Sequence, residues 1–136
     1  MSLPYSDYFP LIRTHVLNQW QSSWSLETEN KLHAIELTVN ITKSYRLPRR
    51  GEIIIHRLRI GHTFLTHGCL LKRDSPPQCG ACQTQLTVEH VLLHCPTWNA
   101  IRANHFTDTS LLDLFSNVTS RCIVDFIKEI GFYRRI

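Results

Sequence analysis

Ile12, Val16, Trp20 and Trp24 recur every four residues, with Leu17 beside them, and this stripe predicts a helix starting near Pro10. Proline is tolerated in a first turn, where its missing N–H would have had no partner. Pro4 to Pro10 reads as an irregular lead-in and Ser25 to Asn30 as a polar loop. Leu32, Ile35, Leu37, Val39 and Ile41 mix helical and strand periods, and the β-branched content from Thr38 to Thr42 leaves the choice open. Pro48 then punctuates the chain, because the residue before a proline avoids helical geometry. The expected organisation is an N-terminal segment 1–48, carrying the tryptophan helix, and a region 49–136.

In the second region a helix is predicted from Arg49 to His67. Ile54, Leu58 and Leu65 share one face, with Ile55 and Phe64 flanking, while Arg50, Arg57 and Arg59 fall largely on the others. Gly61 interrupts it at roughly 1 kcal/mol against alanine, which implies close packing or a kink. His67-Gly68 marks its end. Thr87 is a good N-cap for a short helix, Val88 to His94, that turns Leu92 and Leu93 inward. Pro96 can start the next, with Trp98, Ile101 and Phe106 as its apolar face. A last helix runs from about Val118, burying Cys122, Ile123, Phe126, Ile127 and Ile130, and Gly131 ends it. The fold class expected is mainly α, a small helical domain with a CCHC zinc knuckle.

The knuckle is the chemistry-bearing stretch. Cys79, Cys82, His90 and Cys95 follow the spacing C-x2-C-x7-H-x4-C. Two thiols three positions apart grip one ion from a tight turn, and an imidazole and a third thiol arrive from the next element. Zinc suits this set, since thiolate and imidazole are its usual structural ligands and soft sulfur disfavours magnesium and calcium. Gly80 is expected to supply the unusual backbone conformation of the turn. For the fourth position Cys95 is favoured, with His94 as the competitor or as a group supporting the ligands. His94 lies four residues after His90 on the same helical face, whereas Cys95 is rotated away unless the terminal turn distorts, which Pro96 encourages. With four ligands the site reads as closed and structural. Glu89, next to His90, is the one candidate base for a catalytic zinc, and on a helix it points about 100° away from that histidine. Thioredoxin-like chemistry would need a βαβ context around the CxxC pair. Cys69 and Cys122 read as ordinary thiols.

Composition adds direction to this picture. Five cysteines, an odd number, suit a reducing compartment better than a disulfide framework. There is no apolar run long enough to cross a bilayer and no signal-peptide pattern at Met1–Asp7, so the expected location is intracellular, cytoplasm or nucleus, without a membrane partner. Net charge is only +4, but Lys43 to Arg73 holds eight Lys or Arg against one acid, Glu52. A local field of that sign attracts polyanions, nucleic acid first. Arg50, Arg57, Arg59, Lys72 and Arg73 are the candidate phosphate contacts, set against the plainer reading of a solvated helix face. Zinc-ordered modules beside such a patch favour RNA over DNA. Trp20 and Trp24 could stack on bases, but tryptophans on one helix face more commonly fill a core or an interdomain interface.

Several of these residues also stand in a familiar order. Arg57-Leu58-Arg59-Ile60-Gly61-His62-Thr63, Leu65-Thr66-His67, the Asp74-Ser75-Pro76-Pro77 approach, Cys79-x2-Cys82, Thr87-Val88-Glu89-His90, and Cys95-Pro96 followed by Arg102 resemble the C-terminal region of non-LTR retrotransposon polyproteins. The match is to the Jockey-like or I-like LINE group, downstream of RNase H. Leu3 to Asp7 and the Trp20–Trp24 segment are similar to the stretch joining RNase H to that tail. The resemblance implies a zinc-binding, RNA-binding accessory tail of a reverse transcriptase, with Cys79, Cys82, His90 and Cys95 as ligands and a reverse transcriptase or RNase H domain as a possible partner. Neither the polymerase's paired aspartates nor the RNase H carboxylate set has a counterpart here, so the expectation is a non-enzyme.

Overall fold

A computed structural model describes residues 4–39, 45–107 and 109–136. The protein is mainly helical, with no strand among the described residues. It falls into two compact units, Met1–Lys43 and Ser44–Ile136.

The first unit is a helix, α1 (Tyr5–Ser25), and the turns that follow it. The helix begins at Tyr5 rather than after Pro10, so the expected irregular lead-in is helical. Pro4 stands at the N-cap, and Pro10 removes one intrahelical bond at an exposed position, where water can take the freed carbonyl. No residue of α1 is buried. Trp24 alone of the tryptophan pair packs within the unit: its Nε1 donates to Glu36 O at 2.7 Å and its ring tilts against His33. Trp20 remains 58% exposed, so the expectation of a core role does not hold for it within this unit. Gln21 fastens the returning chain, donating to Leu37 O at 3.0 Å and accepting from Val39 N–H at 2.8 Å. The ambiguous stretch therefore consists of turns from 31 to 35 and irregular backbone to 39. The remainder, with Ile41 and Lys43, lies outside the described residues.

The second unit carries the hydrophobic core. Arg49–Ile60 forms α2, whose Ile54, Ile55 and Leu58 are buried against α6 (Ser120–Glu129). Ile123, Val124, Phe126 and Ile127 of α6 lie in the same cluster, and Phe126 meets Phe106 edge to face at 5.1 Å. The expected single helix from Arg49 to His67 is instead two. Gly61 adopts φ 75°, a conformation that only glycine reaches cheaply, and the chain turns there. Thr63 then starts α3 (Phe64–Lys72) with a reciprocal capping box: its hydroxyl accepts from Thr66 N–H, and Thr66 Oγ1 accepts from Thr63 N–H. Two backbone donors are satisfied in this way, so breaking the helix costs little. Gly68 lies inside α3 rather than at a helix end, and Arg73 at φ 57° closes the helix.

Downstream, Thr87 caps as expected, its hydroxyl accepting from His90 N–H at 3.0 Å. Pro96–Trp98 forms a 3-10 turn leading into α4 (Asn99–Ala103), and α5 (Leu111–Asn117) is capped by Ser110. Thr119 caps α6, Gly131 at φ 77° ends it, and Ile130 is buried as expected. Cys122 is only half-buried and sits against the Thr119 hydroxyl, at the edge of the stripe rather than within it. No helix of the described residues is long and apolar enough to cross a membrane.

Candidate metal centre

Cys79 and Cys82 sit on a short loop that folds back on itself. Cys79 N–H donates to Thr84 O at 2.8 Å, Gln83 N–H to Cys79 O at 2.9 Å, and Leu86 N–H to Pro77 O at 2.9 Å. An isolated antiparallel bridge between Gln78 and Gln85 closes the base. The left-handed residue of this loop is Gln83, at φ 58°, whereas Gly80 keeps an ordinary backbone with open space where a Cβ would stand. The turn thus does not draw on glycine's freedom between Cys79 and Cys82, contrary to the expectation for Gly80.

The other two candidate ligands come from the segment capped by Thr87. Its last turn is wide: Cys95 N–H donates to His90 O at 2.8 Å, an i→i+5 bond, and the π-helical turn spans His90–His94. In a regular α-helix Cys95 would stand about 140° around the axis from His90. The wider turn brings it back toward His90's side. Cys79, Cys82, His90 and Cys95 consequently place one ligand atom each within 4.8 Å of all the others. Cys95 Sγ lies 3.8 Å from both Cys79 Sγ and Cys82 Sγ. A tetrahedron with metal–sulfur bonds of about 2.3 Å has edges of about 3.8 Å, so the sulfurs are already at metal-binding separation. His90 Nε2 is shut off from solvent and has no hydrogen-bond partner, a cost that a metal bond would remove.

His94, the competing fourth ligand, is turned outward. Its side chain is 58% exposed and Nε2 stands 3.6 Å from Glu89 Oε1. Glu89, the imagined catalytic base, is therefore directed at His94 on the surface.

The electrostatics of the loop divide the two cysteines of the CxxC pair. Backbone N–H groups of Cys82 and Ala81, aided by His90, hold the Cys79 thiol down at about 6. Burial, and then the neighbouring sulfurs of Cys79 and Cys95, push the Cys82 thiol up to about 11. The same loop thus favours the thiolate at Cys79 and the thiol at Cys82. A metal bound by all three sulfurs would require the Cys82 thiol to give up its proton.

What holds the wide turn is a residue whose role sequence reasoning missed. Arg102, on α4, is 6% exposed. Its Nε donates to Leu92 O at 2.6 Å, and its Nη2 to Cys95 O at 3.0 Å and Val91 O at 3.3 Å. Nη1 donates to Asn99 Oδ1 at 2.6 Å. In an α-helix Leu92 O would accept from residue 96, but Pro96 has no N–H. Val91 O would accept from Cys95 N–H, which is given to His90 instead. The wide turn and the proline orphan these carbonyls, and the guanidinium fork takes them. Burial lowers the Arg102 pKa, and the adjacent Cys95 thiolate opposes that shift. The readable signal was a lone arginine six residues after Pro96, among the apolar residues Trp98, Ile101 and Phe106.

The arginines named from the sequence as phosphate contacts have partners within the unit. Arg50 Nη2 donates to Tyr133 O at 3.0 Å, Arg57 donates to Ile136 O, and Arg59 donates to the Tyr45 hydroxyl while lying over its ring. They tie residues 45 and 133–136 to α2. Lys72 and Arg73 are exposed, with the Lys72 ammonium 5.8 Å from the centre of the Phe64 ring.

Metal content separates the two candidates for the fourth position. Cys95→Ser is expected to lose the bound ion, and His94→Ala to retain it at full stoichiometry. Retention by the first or loss by the second, measured by elemental analysis of the purified proteins, would reverse the ligand assignment. No protein-family model, curated protein or solved structure matches this chain.

Proposed function

We propose that the chain is a zinc-stabilised, non-enzymatic module that binds nucleic acid, RNA in preference to DNA. The observation that carries this reading is the pairing of a four-ligand Cys/His cluster with a basic segment packed on the same core. Zinc is the ion that three thiolates and an imidazole at tetrahedral spacing suit best. Four side-chain ligands leave no coordination position for substrate, which favours a structural role over hydrolysis. Arg50, Arg57 and Arg59 each spend donors on backbone or phenol oxygens, yet a guanidinium has five N–H groups and keeps its full charge. With Lys72 and Arg73 they form the cationic surface of this reading. The resemblance to the tails of LINE-type reverse transcriptases points the same way, toward RNA handled beside a polymerase.

A second reading is supported by α1. Tyr5, Phe9, Ile12, Val16 and Trp20 are 52–78% exposed, an apolar row that nothing within its own unit covers. As a protein-interaction module, the chain would dock this row on a polymerase or RNase H domain. Sedimentation of the isolated chain is then expected to show self-association that Trp20→Glu abolishes. A monodisperse monomer that also binds no such domain contradicts it.

For the first reading, binding of a labelled oligoribonucleotide is expected to weaken linearly on a log–log plot as salt rises, with a slope of about −0.7 per phosphate contact. Affinity independent of salt, or absent at low salt, would overturn it.

A further inference from the structure

Two clefts of about 390 and 430 Å³ flank α3 and share Phe64, Gly68, Arg134 and Arg135 in their walls. Each is of a size that takes one small polar or aromatic group. The larger adds Arg50 and Arg57, so four guanidiniums line it, together with the rings of His62 and His67 stacked at 3.9 Å, and no aspartate or glutamate. The smaller adds Lys72 and a single acid, Asp74. Arg134 and Arg135 lie far in sequence from the Lys43–Arg73 segment, and the fold brings them alongside it.

Between the clefts stands an aromatic ring in an unusual setting. Phe64, the first residue of α3, is 56% exposed. The ring packs along the helix over Gly68, where a Cβ would lie in ordinary contact with it at 3.4 Å. The result is an aromatic platform bordered on both sides by cations.

We infer that this α3 groove is a seat for single-stranded nucleic acid, with Phe64 stacking an unpaired base and Arg50, Arg57, Arg134 and Arg135 taking the adjoining phosphates. Stacking on a ring beside a basic track is how unpaired strands are held without sequence preference. A duplex keeps its bases stacked inside, and recesses of this volume admit no double helix. Charge alone would suit an acidic protein segment equally; the exposed ring favours an unpaired strand, whose bases stack on it where carboxylates do not. The inference rests on the nucleic-acid reading above and locates it.

The test uses the full chain loaded with zinc, a labelled oligouridylate, its duplex with oligoadenylate, and polyglutamate as an anion without bases. Phe64→Ala, at an exposed position, is expected to fold with unchanged metal content and to weaken oligouridylate binding about tenfold. Arg134→Ala and Arg135→Ala are each expected to lower the salt slope by about 0.7. Arg121→Ala, on the exposed side of α6 and outside both clefts, is expected to leave affinity and slope nearly unchanged. If the wild-type chain binds oligouridylate but Phe64→Ala and both tail variants bind equally well, the groove is wrong and the broader reading survives. If the wild-type chain binds no oligonucleotide at low salt, the broader reading falls with it. Duplex or polyglutamate bound as tightly as oligouridylate would also overturn the single-strand assignment.

Discussion

The bond from the Cys95 amide to the His90 carbonyl sets the geometry of the centre, and a buried arginine makes that bond tenable. A turn one residue wider than an α-helix reroutes Cys95 N–H from Val91 to His90, and Pro96 denies Leu92 its usual donor. Buried carbonyls without partners cost about 1–3 kcal/mol each, so such a turn would unwind if left alone. Arg102 reaches from α4 to the oxygens of Val91, Leu92 and Cys95, and Asn99 holds the other side of the fork. The third sulfur, and with it the four-cornered site, depends on this one side chain.

Charge balance gives the same residue a second role. A divalent ion held by three thiolates and a neutral imidazole would carry a net charge of −1. The guanidinium of Arg102 bonds the Cys95 carbonyl and is favoured by charge at Cys95, so it would oppose that charge in a region nearly closed to water. A buried cation is expensive alone and a buried anionic centre is expensive alone; adjacent, each reduces the cost of the other. The metal loop, the wide turn and α4 therefore form one electrostatic unit. Phe106, Val91 and Leu92 bind that unit to the core shared by α2 and α6.

Reading the sequence succeeded where a residue's own chemistry decides its place. The spacing of Cys79, Cys82, His90 and Cys95 is a local property of ligands, and the apolar repeat of α6 survives in the buried residues Ile123, Phe126, Ile127 and Ile130. It failed where a bond between distant residues decides. Periodicity carried one helix across Gly61, because the compensating Thr63–Thr66 box replaces the usual acid with a threonine. Gly80 was credited with a strained backbone that Gln83 in fact adopts, since glycine only permits such a conformation. Arg50, Arg57 and Arg59 read as a free basic face, yet their partners are Tyr133, Ile136 and Tyr45, and no pattern along the chain announces those pairings. Arg102 follows Cys95-Pro96 with nothing along the chain to mark it, because its carbonyl partners are gathered only by the wide turn. Pro96 pointed to Cys95 over His94, but the width of the turn that delivers it is a difference regular periodicity cannot express.

The central claim is that Arg102 holds the turn that delivers Cys95, and denaturant unfolding of the zinc-loaded chain tests it most directly. Arg102→Met keeps much of the side chain's length and apolar stem but offers no donors. Leaving its carbonyl partners unmet is expected to lower stability on the order of 3 kcal/mol and to release zinc at lower denaturant than the wild type. Unfolding and zinc release at the wild-type midpoint would contradict the account.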